Sequence, residues 1–219
     1  MILEKFVMKI NEIFYSIQGE GKLAGYPTIF VRLTGCNLRC KYCDTKYAYY
    51  DGKEMQVKDI LSNIKNYPCK NVCITGGEPL LQKETPALIR KLLDRGYKVC
   101  LETNGSIDIS NIVKIEPKNA TIISLDIKCP SSGMQDKMKF ENIDYLTEKY
   151  QLKFIISNKG DYEYAKGIIN KLKPNCEIFM QPVWGWNPKN LVRWILEDGL
   201  NVRISLQLHK IIFGNERGI

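Results

Sequence analysis

Three cysteines in one short loop, Cys36, Cys40 and Cys43, are the residues of this sequence best suited to do chemistry. Their Cys-x3-Cys-x2-Cys spacing supplies three thiolates, whereas a structural zinc site is usually closed by four ligands. A 4Fe–4S cluster held entirely by protein also takes four cysteines. Three soft ligands in so short a segment therefore predict a cubane cluster with one iron open to a substrate or cofactor. A structural metal site is the alternative.

The bulk composition is that of an ordinary globular protein. The chain has 219 residues, of which 44% are hydrophobic and 26% are charged, and we expect a single domain spanning residues 1–219. No apolar run approaches the roughly 20 residues of a membrane span, and the first residues lack the pattern of a signal peptide. These observations predict a cytoplasmic protein without a membrane partner, in a compartment where thiols stay reduced.

The net charge of +8 favours anionic ligands, but the lysines are scattered along the sequence and predict a solvated surface. The sequence carries no basic block with interleaved aromatic residues, so nucleic acid is not expected as a direct substrate. Eight cysteines in a reducing compartment favour metal ligands and buried thiols over disulfides. We interpret the five cysteines outside the loop as small buried hydrophobic residues, with Cys129 the nearest to the expected site: Cys69, Cys73, Cys100, Cys129 and Cys176.

Strand-like and helix-like segments alternate after an N-terminal hairpin region. Apolar residues recur at helical spacing from Val57 to Ile64, and residues 71–75 form a β-rich run that ends at two glycines. A further helix is predicted near residues 141–147 and a last strand over residues 202–206. The alternation indicates an α/β fold of βαβ units around a parallel sheet, with an open sheet and a barrel as alternatives.

Polar and glycine-rich clusters follow the predicted strands. In both architectures ligands bind at the carboxyl ends of the strands, so we expect these clusters to converge on one cavity. They are the cysteine loop and residues 76–78, 104–105, 126–128 and 181–182.

The cysteine loop, with Tyr42 before its last cysteine, and the later segment Gly-Gly-Glu-Pro at residues 76–79 resemble the radical S-adenosylmethionine (SAM) enzymes. The resemblance covers nearly the whole chain and implies a partial (β/α) barrel with an N-terminal hairpin extension. It also implies that the three cysteines hold a 4Fe–4S cluster whose open iron binds SAM. The SAM contacts implied by the resemblance are Tyr42, Gly77, Glu78, Glu102, Asn104, Asp126, Ile127, Lys128, Gln181, Pro182, Val183 and Trp184.

The segment Glu-Ile-Phe-Tyr-Ser-Ile-Gln-Gly-Glu-Gly at residues 12–21, together with Arg32 and Cys43-Asp44-Thr45, resembles the 7-carboxy-7-deazaguanine synthases more narrowly. This resemblance implies 6-carboxy-5,6,7,8-tetrahydropterin as the substrate and Thr45 as a ligand of Mg²⁺, a cation that prefers oxygen donors. A guanidinium such as that of Arg32 binds a carboxylate bidentately. The implied substrate contacts are Ile17, Gln18, Gly19, Glu20, Arg32, Thr75, His209 and Ile219.

The implied reaction is a radical SAM ring contraction that releases ammonia and feeds 7-deazapurine biosynthesis, the route to queuosine and archaeosine. The resemblance further implies a homodimer and an electron donor such as flavodoxin or ferredoxin. Two alternatives stay open. The segment Asp126-Ile127-Lys128 also resembles the glycyl-radical activases, which would make the protein an activating enzyme. The basic net charge is also compatible with a protein that is not an enzyme, namely a metal-stabilised nucleic-acid-binding protein.

Overall fold

One nine-stranded sheet organises the residues that the computed structural model describes, 6–115 and 121–219. Its strands, in chain order, are β1 (Val7–Ile17), β2 (Pro27–Leu33), β3 (Lys53–Gln56), β4 (Asn71–Gly76), β5 (Lys98–Thr103), β6 (Thr121–Ile127), β7 (Gln151–Ile156), β8 (Glu177–Pro182) and β9 (Arg203–Ile204).

The strand order is β3-β1-β2-β4-β5-β6-β7-β8-β9. Strand β1 pairs antiparallel with both β2 and β3, and every neighbouring pair from β2 to β9 is parallel. The predicted N-terminal hairpin and partial barrel are therefore confirmed. Within the described part of the chain, β3 and β9 are the two ends of the sheet and do not pair with each other.

Each barrel strand divides its side chains between two environments, because successive residues of a strand point to opposite faces. In β2, Ile29, Val31 and Leu33 are fully buried in the apolar core. Phe30 and Arg32, on the other face, line a cavity inside the barrel. Strands β4 to β7 repeat this division, so the inner face carries the polar residues that could bind a ligand.

The helices of the described residues are α1 (Val57–Lys65), α2 (Thr85–Leu93), α3 (Ser110–Val113), α4 (Lys159–Leu172), α5 (Lys189–Glu197) and α6 (Leu208–Phe213). Helices α1, α2 and α4 pack on the sheet, whereas α6 contributes His209 and Lys210 to the lining of the cavity. The apolar stripe predicted for α1 is buried as expected, including Val57 and Ile64. Over residues 6–115 and 121–219, every helix is too short or too polar to span a bilayer.

Two secondary-structure predictions were wrong in detail. The helix expected near residues 141–147 is a 3₁₀ segment, Phe140–Tyr145. Its Asn142 side chain donates to Ile107 O at 2.8 Å and accepts from Ile109 N at 3.1 Å, and such bonds compete with a regular helix. The last strand has two residues rather than five, because β9 pairs with β8 alone.

Asp161, in the first turn of α4, joins the loops that follow β6 and β7. Its buried carboxylate accepts hydrogen bonds from Ser131 N at 2.9 Å and from Ser157 N and Oγ at 3.0 and 2.7 Å. The loop after β6 supports the cysteine loop in turn, because Ser132 O accepts from Lys41 N at 3.1 Å. Asp161 therefore helps to position the cysteine loop without lining the cavity.

Replacing Asp161 with alanine should lower the free energy of unfolding by about 2 kcal/mol, because it leaves two partly buried backbone N–H groups, those of Ser131 and Ser157, without this partner. Urea unfolding under anaerobic conditions measures the change. Glu163→Ala is the matched control on the same helix. It removes exposed ion pairs to Lys159 and Lys166 and should cost less than about 1 kcal/mol. Equal losses in the two variants would contradict this role.

Candidate active site

A cavity of about 770 Å³ opens at the carboxyl ends of the parallel strands. It runs from the cysteine loop to the turn after β1 and to the C-terminal residues 214–219. The predicted convergence of the five polar clusters is thus confirmed. The predicted site residues that line it are Ile17, Gln18, Glu20, Arg32, Cys36, Cys40, Tyr42, Cys43, Thr45, Thr75, Gly77, Glu102, Asn104, Asp126, Lys128, Gln181, Pro182, Val183, Trp184, His209 and Ile219.

Three predicted site residues do not line the cavity: Gly19, Glu78 and Ile127. Ile127 is on the outer face of β6 and is fully buried in the apolar core, because it follows the inward-facing Asp126. Cys129, expected near the SAM site, is likewise buried in the core. Strand alternation explains both placements.

The cysteine loop presents three half-buried, free thiols to the cavity. Burial raises the pKa of Cys36 and of Cys40, and the nearby Cys43 thiol raises both further. Lys128 opposes this effect at Cys40. A cluster of positively charged iron ions relieves the repulsion among three thiolates, so the donor set fits a three-cysteine 4Fe–4S site.

Gly76 and Gly77 allow the cysteine loop to pack against the end of β4. A Cβ on Gly76, whose φ is +153°, would lie 2.3 Å from Leu33 O, and one on Gly77 would lie 2.1 Å from Gly35 O. Since real Cβ atoms do not approach backbone so closely, these positions exclude any other residue without a backbone shift. Gly77 also lines the cavity. The sequence predicted that the backbone here approaches a ligand closely, and the structure shows that it approaches the cysteine loop closely as well.

Glu78 acts through its neighbours. Its buried carboxylate accepts from Leu80 N and Thr103 Oγ1, each at 2.9 Å, and from Asn104 N at 2.7 Å. Burial raises the pKa of Glu78 to about 6, although these three donors lower it. Asn104 lines the cavity and donates to Cys36 Sγ at 3.8 Å. Glu78 is therefore a positioning residue for Asn104, and its predicted contact with SAM stays a prediction.

Buried polar atoms without partners mark a second part of the cavity wall. They are Tyr42 OH, Asp126 Oδ1 and Gln181 Oε1, and their residues all line the cavity. Buried polar groups are nearly always hydrogen-bonded, so a small rotation of these side chains towards a ligand in the cavity would supply the missing partners. Asp126 Oδ2 is already paired with Lys128 Nζ at 2.7 Å.

At the other end of the cavity, Lys153 is buried between two carboxylates. Its Nζ lies 2.8 Å from Glu20 Oε2 and 3.3 Å from Glu102 Oε2. Glu20 Oε1 also accepts from Gln181 Nε2 at 3.1 Å and from Gln207 Nε2 at 2.9 Å. Burial alone would raise the pKa of Glu20, but Lys153 and Gln207 lower it to about 2. The turn after β1 and the strands β5, β7 and β8 all contribute to this network.

Sequence reasoning missed Lys153, although a signal was present. A lysine in the middle of the apolar strand Gln-Leu-Lys-Phe-Ile-Ile is unusual, and period-2 alternation puts it on the inner face.

Glu12 was quoted only as part of a motif, yet its Oε1 accepts from Arg32 Nε at 2.7 Å and from Tyr47 OH at 3.1 Å. Its Oε2 lies 3.3 Å from Arg217 Nε.

The turn after β1, residues 18–22, packs closely against the far side of the barrel. A Cβ on Gly19 would lie 1.8 Å from His209 Nδ1, and one on Gly21, whose φ is +66°, would lie 2.2 Å from Gln151 Nε2. Leu208 N donates to Gly19 O at 3.0 Å. Gly19, predicted to contact the substrate, therefore supports His209, which does line the cavity. We call residues 18–22 the closing turn.

The family profile of the radical SAM superfamily matches residues 30–177, so the chain belongs to this superfamily. Membership implies a 4Fe–4S cluster and SAM, which agrees with the donor set described above. The chain also has curated relatives along almost its full length, and they place it in a particular family.

The chain is 39% identical over 212 residues to a 7-carboxy-7-deazaguanine synthase of Thermoplasma acidophilum, which covers 97% of this chain and 100% of the relative. It is 42% identical over 209 residues to a synthase of the same name from Methanospirillum hungatei JF-1, covering 94% and 85% of the two chains. The chain therefore belongs to the 7-carboxy-7-deazaguanine synthase family. The crystal structure of QueE from Escherichia coli shares its fold, with a TM-score of 0.76 at 23% identity over 93% of this chain and 95% of that one.

Replacing Glu20 with glutamine should destabilise the protein in a pH-dependent way. Because the folded-state pKa of Glu20 is about 2 against an ordinary value of 4.5, its ionisation contributes about 3 kcal/mol above pH 4.5. This contribution disappears as the pH falls towards 2. Urea unfolding of both proteins from pH 7 to pH 3 should show a gap that narrows in acid.

The control is Glu177→Gln, the same exchange at an exposed carboxylate paired with Arg203. It should change the stability little at any pH. A Glu20→Gln gap that stays constant with pH would rule out the stabilising ion pair with Lys153.

Proposed function

We propose that this protein converts 6-carboxy-5,6,7,8-tetrahydropterin to 7-carboxy-7-deazaguanine with loss of ammonia, a step of 7-deazapurine biosynthesis towards queuosine or archaeosine. The observation that carries the proposal is one cavity that joins three cluster-type thiols to a carboxylate-binding guanidinium and to ionised carboxylates. The relatives named 7-carboxy-7-deazaguanine synthase support the same reaction, and they favour it over a glycyl-radical activase or a nucleic-acid-binding protein.

Each end of the cavity has its own task in this proposal. Cys36, Cys40 and Cys43 would hold the cluster, and SAM would lie along the wall that contains Asp126 and Gln181. When bound, the cluster and SAM supply the one-electron chemistry that generates a radical able to remove hydrogen from carbon. The hard chemistry thus belongs to the cofactors, and the chain supplies orientation and exclusion of water.

Substrate orientation would fall to the opposite end. Glu20, whose pKa Lys153 and Gln207 lower to about 2, and Glu102, which pairs with the same Lys153, accept hydrogen bonds from the N–H groups of the pterin edge. Arg32 faces the cavity with its Nε held by Glu12, and its guanidinium binds the 6-carboxylate. Burial lowers the pKa of His209, so a neutral imidazole can pair with the ring. The C-terminal residues 214–219 line the cavity mouth and limit access of water.

The deciding experiment is anaerobic incubation of the reconstituted enzyme with SAM, dithionite, Mg²⁺ and the carboxypterin, with mass spectrometry of the product. Arg32→Gln should raise KM about 10- to 100-fold, because it removes a charge-assisted bidentate contact worth about 1.5–3 kcal/mol. Arg203→Gln is the matched control, since Arg203 is exposed and lies outside the cavity lining, where it pairs with Glu177 and stacks on the Phe179 ring. No deazaguanine from the parent enzyme would overturn the proposal.

We also propose that Mg²⁺ binds at Thr45. Thr45 lines the cavity, and its hydroxyl donates its hydrogen to Asp44 Oδ1 at 2.9 Å. The lone pairs of the hydroxyl oxygen therefore stay available to a cation. Asp44 is itself held by Lys210, and this ion pair and the hydrogen bonds from Thr45 and Gln207 lower the pKa of Asp44 to about 2 against the effect of desolvation. One hydroxyl ligand suits Mg²⁺, which takes most of its ligands from substrate and water.

Thr45→Val should weaken the activation by Mg²⁺ while leaving four irons per chain. Because valine has the shape of threonine without the hydroxyl, the comparison isolates the ligand atom. Thr45→Ser restores a hydroxyl and should recover most of the response. Titration of the initial rate with Mg²⁺ measures the effect, and a Thr45→Val curve identical to that of the parent would remove Thr45 from the site.

Three further expectations accompany the proposal. Exposed apolar side chains on β9 and α6, among them Ile204, Ile211 and Ile212, support a homodimer. A cluster that must be reduced calls for a small redox protein such as flavodoxin or ferredoxin. The eight free cysteines suit the reducing cytoplasm.

A further inference from the structure

Two cysteines outside the cysteine loop lie side by side inside the barrel. Cys73 of β4 and Cys100 of β5 occupy directly opposite positions on neighbouring parallel strands. Both are free, and both are buried, with 1% and 3% of their surface exposed. The sequence suggested two unrelated hydrophobic residues. The structure instead pairs their thiols on the inner face of the sheet, where Cys73 lines the cavity.

Glu102 completes a compact group of donor atoms with these thiols. It follows Cys100 by two residues and therefore lies on the same face of β5. The two sulfur atoms and one carboxylate oxygen all lie within 4.8 Å of one another, and Cys100 Sγ is 3.8 Å from Glu102 Oε1. Neighbouring ligand atoms of a tetrahedral zinc ion are about 3.5–3.8 Å apart, given its bond lengths. A contraction of about 1 Å or less would bring all three donors to a metal ion.

The surroundings orient these donors. Lys153 Nζ holds Glu102 Oε2 at 3.3 Å, which leaves Oε1 facing the thiols. Gln18 Nε2 donates to Cys73 Sγ at 3.7 Å from the cavity side. Such outer contacts fix the direction of metal ligands in known sites.

The pKa of Cys100 reflects the groups around it. The hydrogen bond with Cys73, burial and the Glu102 charge all raise this pKa, whereas the Lys153 charge lowers it. A divalent ion between the three donor atoms would reverse the electrostatic causes of this shift, because it turns mutual repulsion of negative groups into attraction.

We propose that Cys73, Cys100 and Glu102 form a second metal site that takes a borderline-soft divalent cation of the zinc type. Two thiolates and one carboxylate select such an ion over Mg²⁺ or Ca²⁺, which require oxygen ligands. Three protein ligands leave the fourth position open towards the cavity, as in zinc sites that bind an exchangeable ligand. The bound ion would share Glu102 with the substrate end of the cavity. The site stands on its own geometry, whether or not the proposed reaction is correct.

Zinc binding to the anaerobically reconstituted holoenzyme tests the proposal, because iron then occupies the thiols of the cysteine loop. After equilibrium dialysis against Zn²⁺, we expect one zinc per chain with the iron content unchanged. Cys73→Ser and Cys100→Ser should each weaken zinc binding at least 10-fold. Cys176→Ser is the matched control, since this half-buried thiol lies outside the group, and it should bind zinc like the parent.

X-ray absorption at the zinc edge of the unsubstituted holoenzyme gives a second test that needs no variant. The expected coordination shell contains two sulfur atoms and lighter oxygen or nitrogen atoms. A shell without sulfur, zinc uptake only at the expense of iron, or equal uptake by Cys73→Ser would overturn the proposal. So would recovery of Cys73 and Cys100 as a disulfide from anaerobic protein. None of these outcomes bears on the carboxypterin assay.

Discussion

The ion pairs of the buried Lys153 Nζ are the interactions on which the inner face of the partial barrel depends. The end strands β3 and β9 do not pair with each other in the described part of the chain, so side chains link the turn after β1 to the later strands. Glu20 of the closing turn reaches Lys153 on β7 and Gln181 on β8. Desolvation of an isolated ammonium costs several kcal/mol, and two carboxylates offset that cost only if the closing turn stays in place. The same ion pairs therefore hold these elements together and set the charge of this end of the cavity.

This constraint explains the sequence of the closing turn. Glu20 reaches Lys153 only if the backbone on both sides of it approaches the opposite wall, where His209 and Gln151 leave no room for a Cβ. Glycine at positions 19 and 21 is the steric condition for that approach, and the positive φ of Gly21 adds a conformational one. A motif that resembles a simple glycine-rich turn is thus coupled to residues more than a hundred positions away.

Much of the site could be predicted from local patterns. The spacing of the three cysteines and the Gly76-Gly77 pair identified the cysteine loop as a candidate cluster site. This was possible because thiolate ligation and close backbone packing depend on residues that are neighbours in the sequence. Lys153 and Arg217 escaped prediction because their partners come from distant strands and from the C-terminal segment. The family resemblance implied SAM contacts for Glu78 and Ile127, but neither residue lines the cavity. Hydrogen bonding turns the Glu78 side chain away from it, and strand alternation turns Ile127 away. The pairing of Cys73 with Cys100 depends on the register between β4 and β5, which the sequence of either strand alone does not specify.

The division of each strand between an apolar outer face and a polar inner face has a consequence for protein engineering. Positions such as Phe30, Thr75 and Ile155 line the cavity, while their immediate neighbours Val31, Ile74 and Ile156 belong to the core. A library at Phe30, Thr75 and Ile155, with the inward-facing Lys153 of β7 kept, would reshape the chamber for a different heterocycle and leave the hydrophobic packing untouched. The scaffold thus separates the residues that tolerate redesign from those that do not, one position at a time.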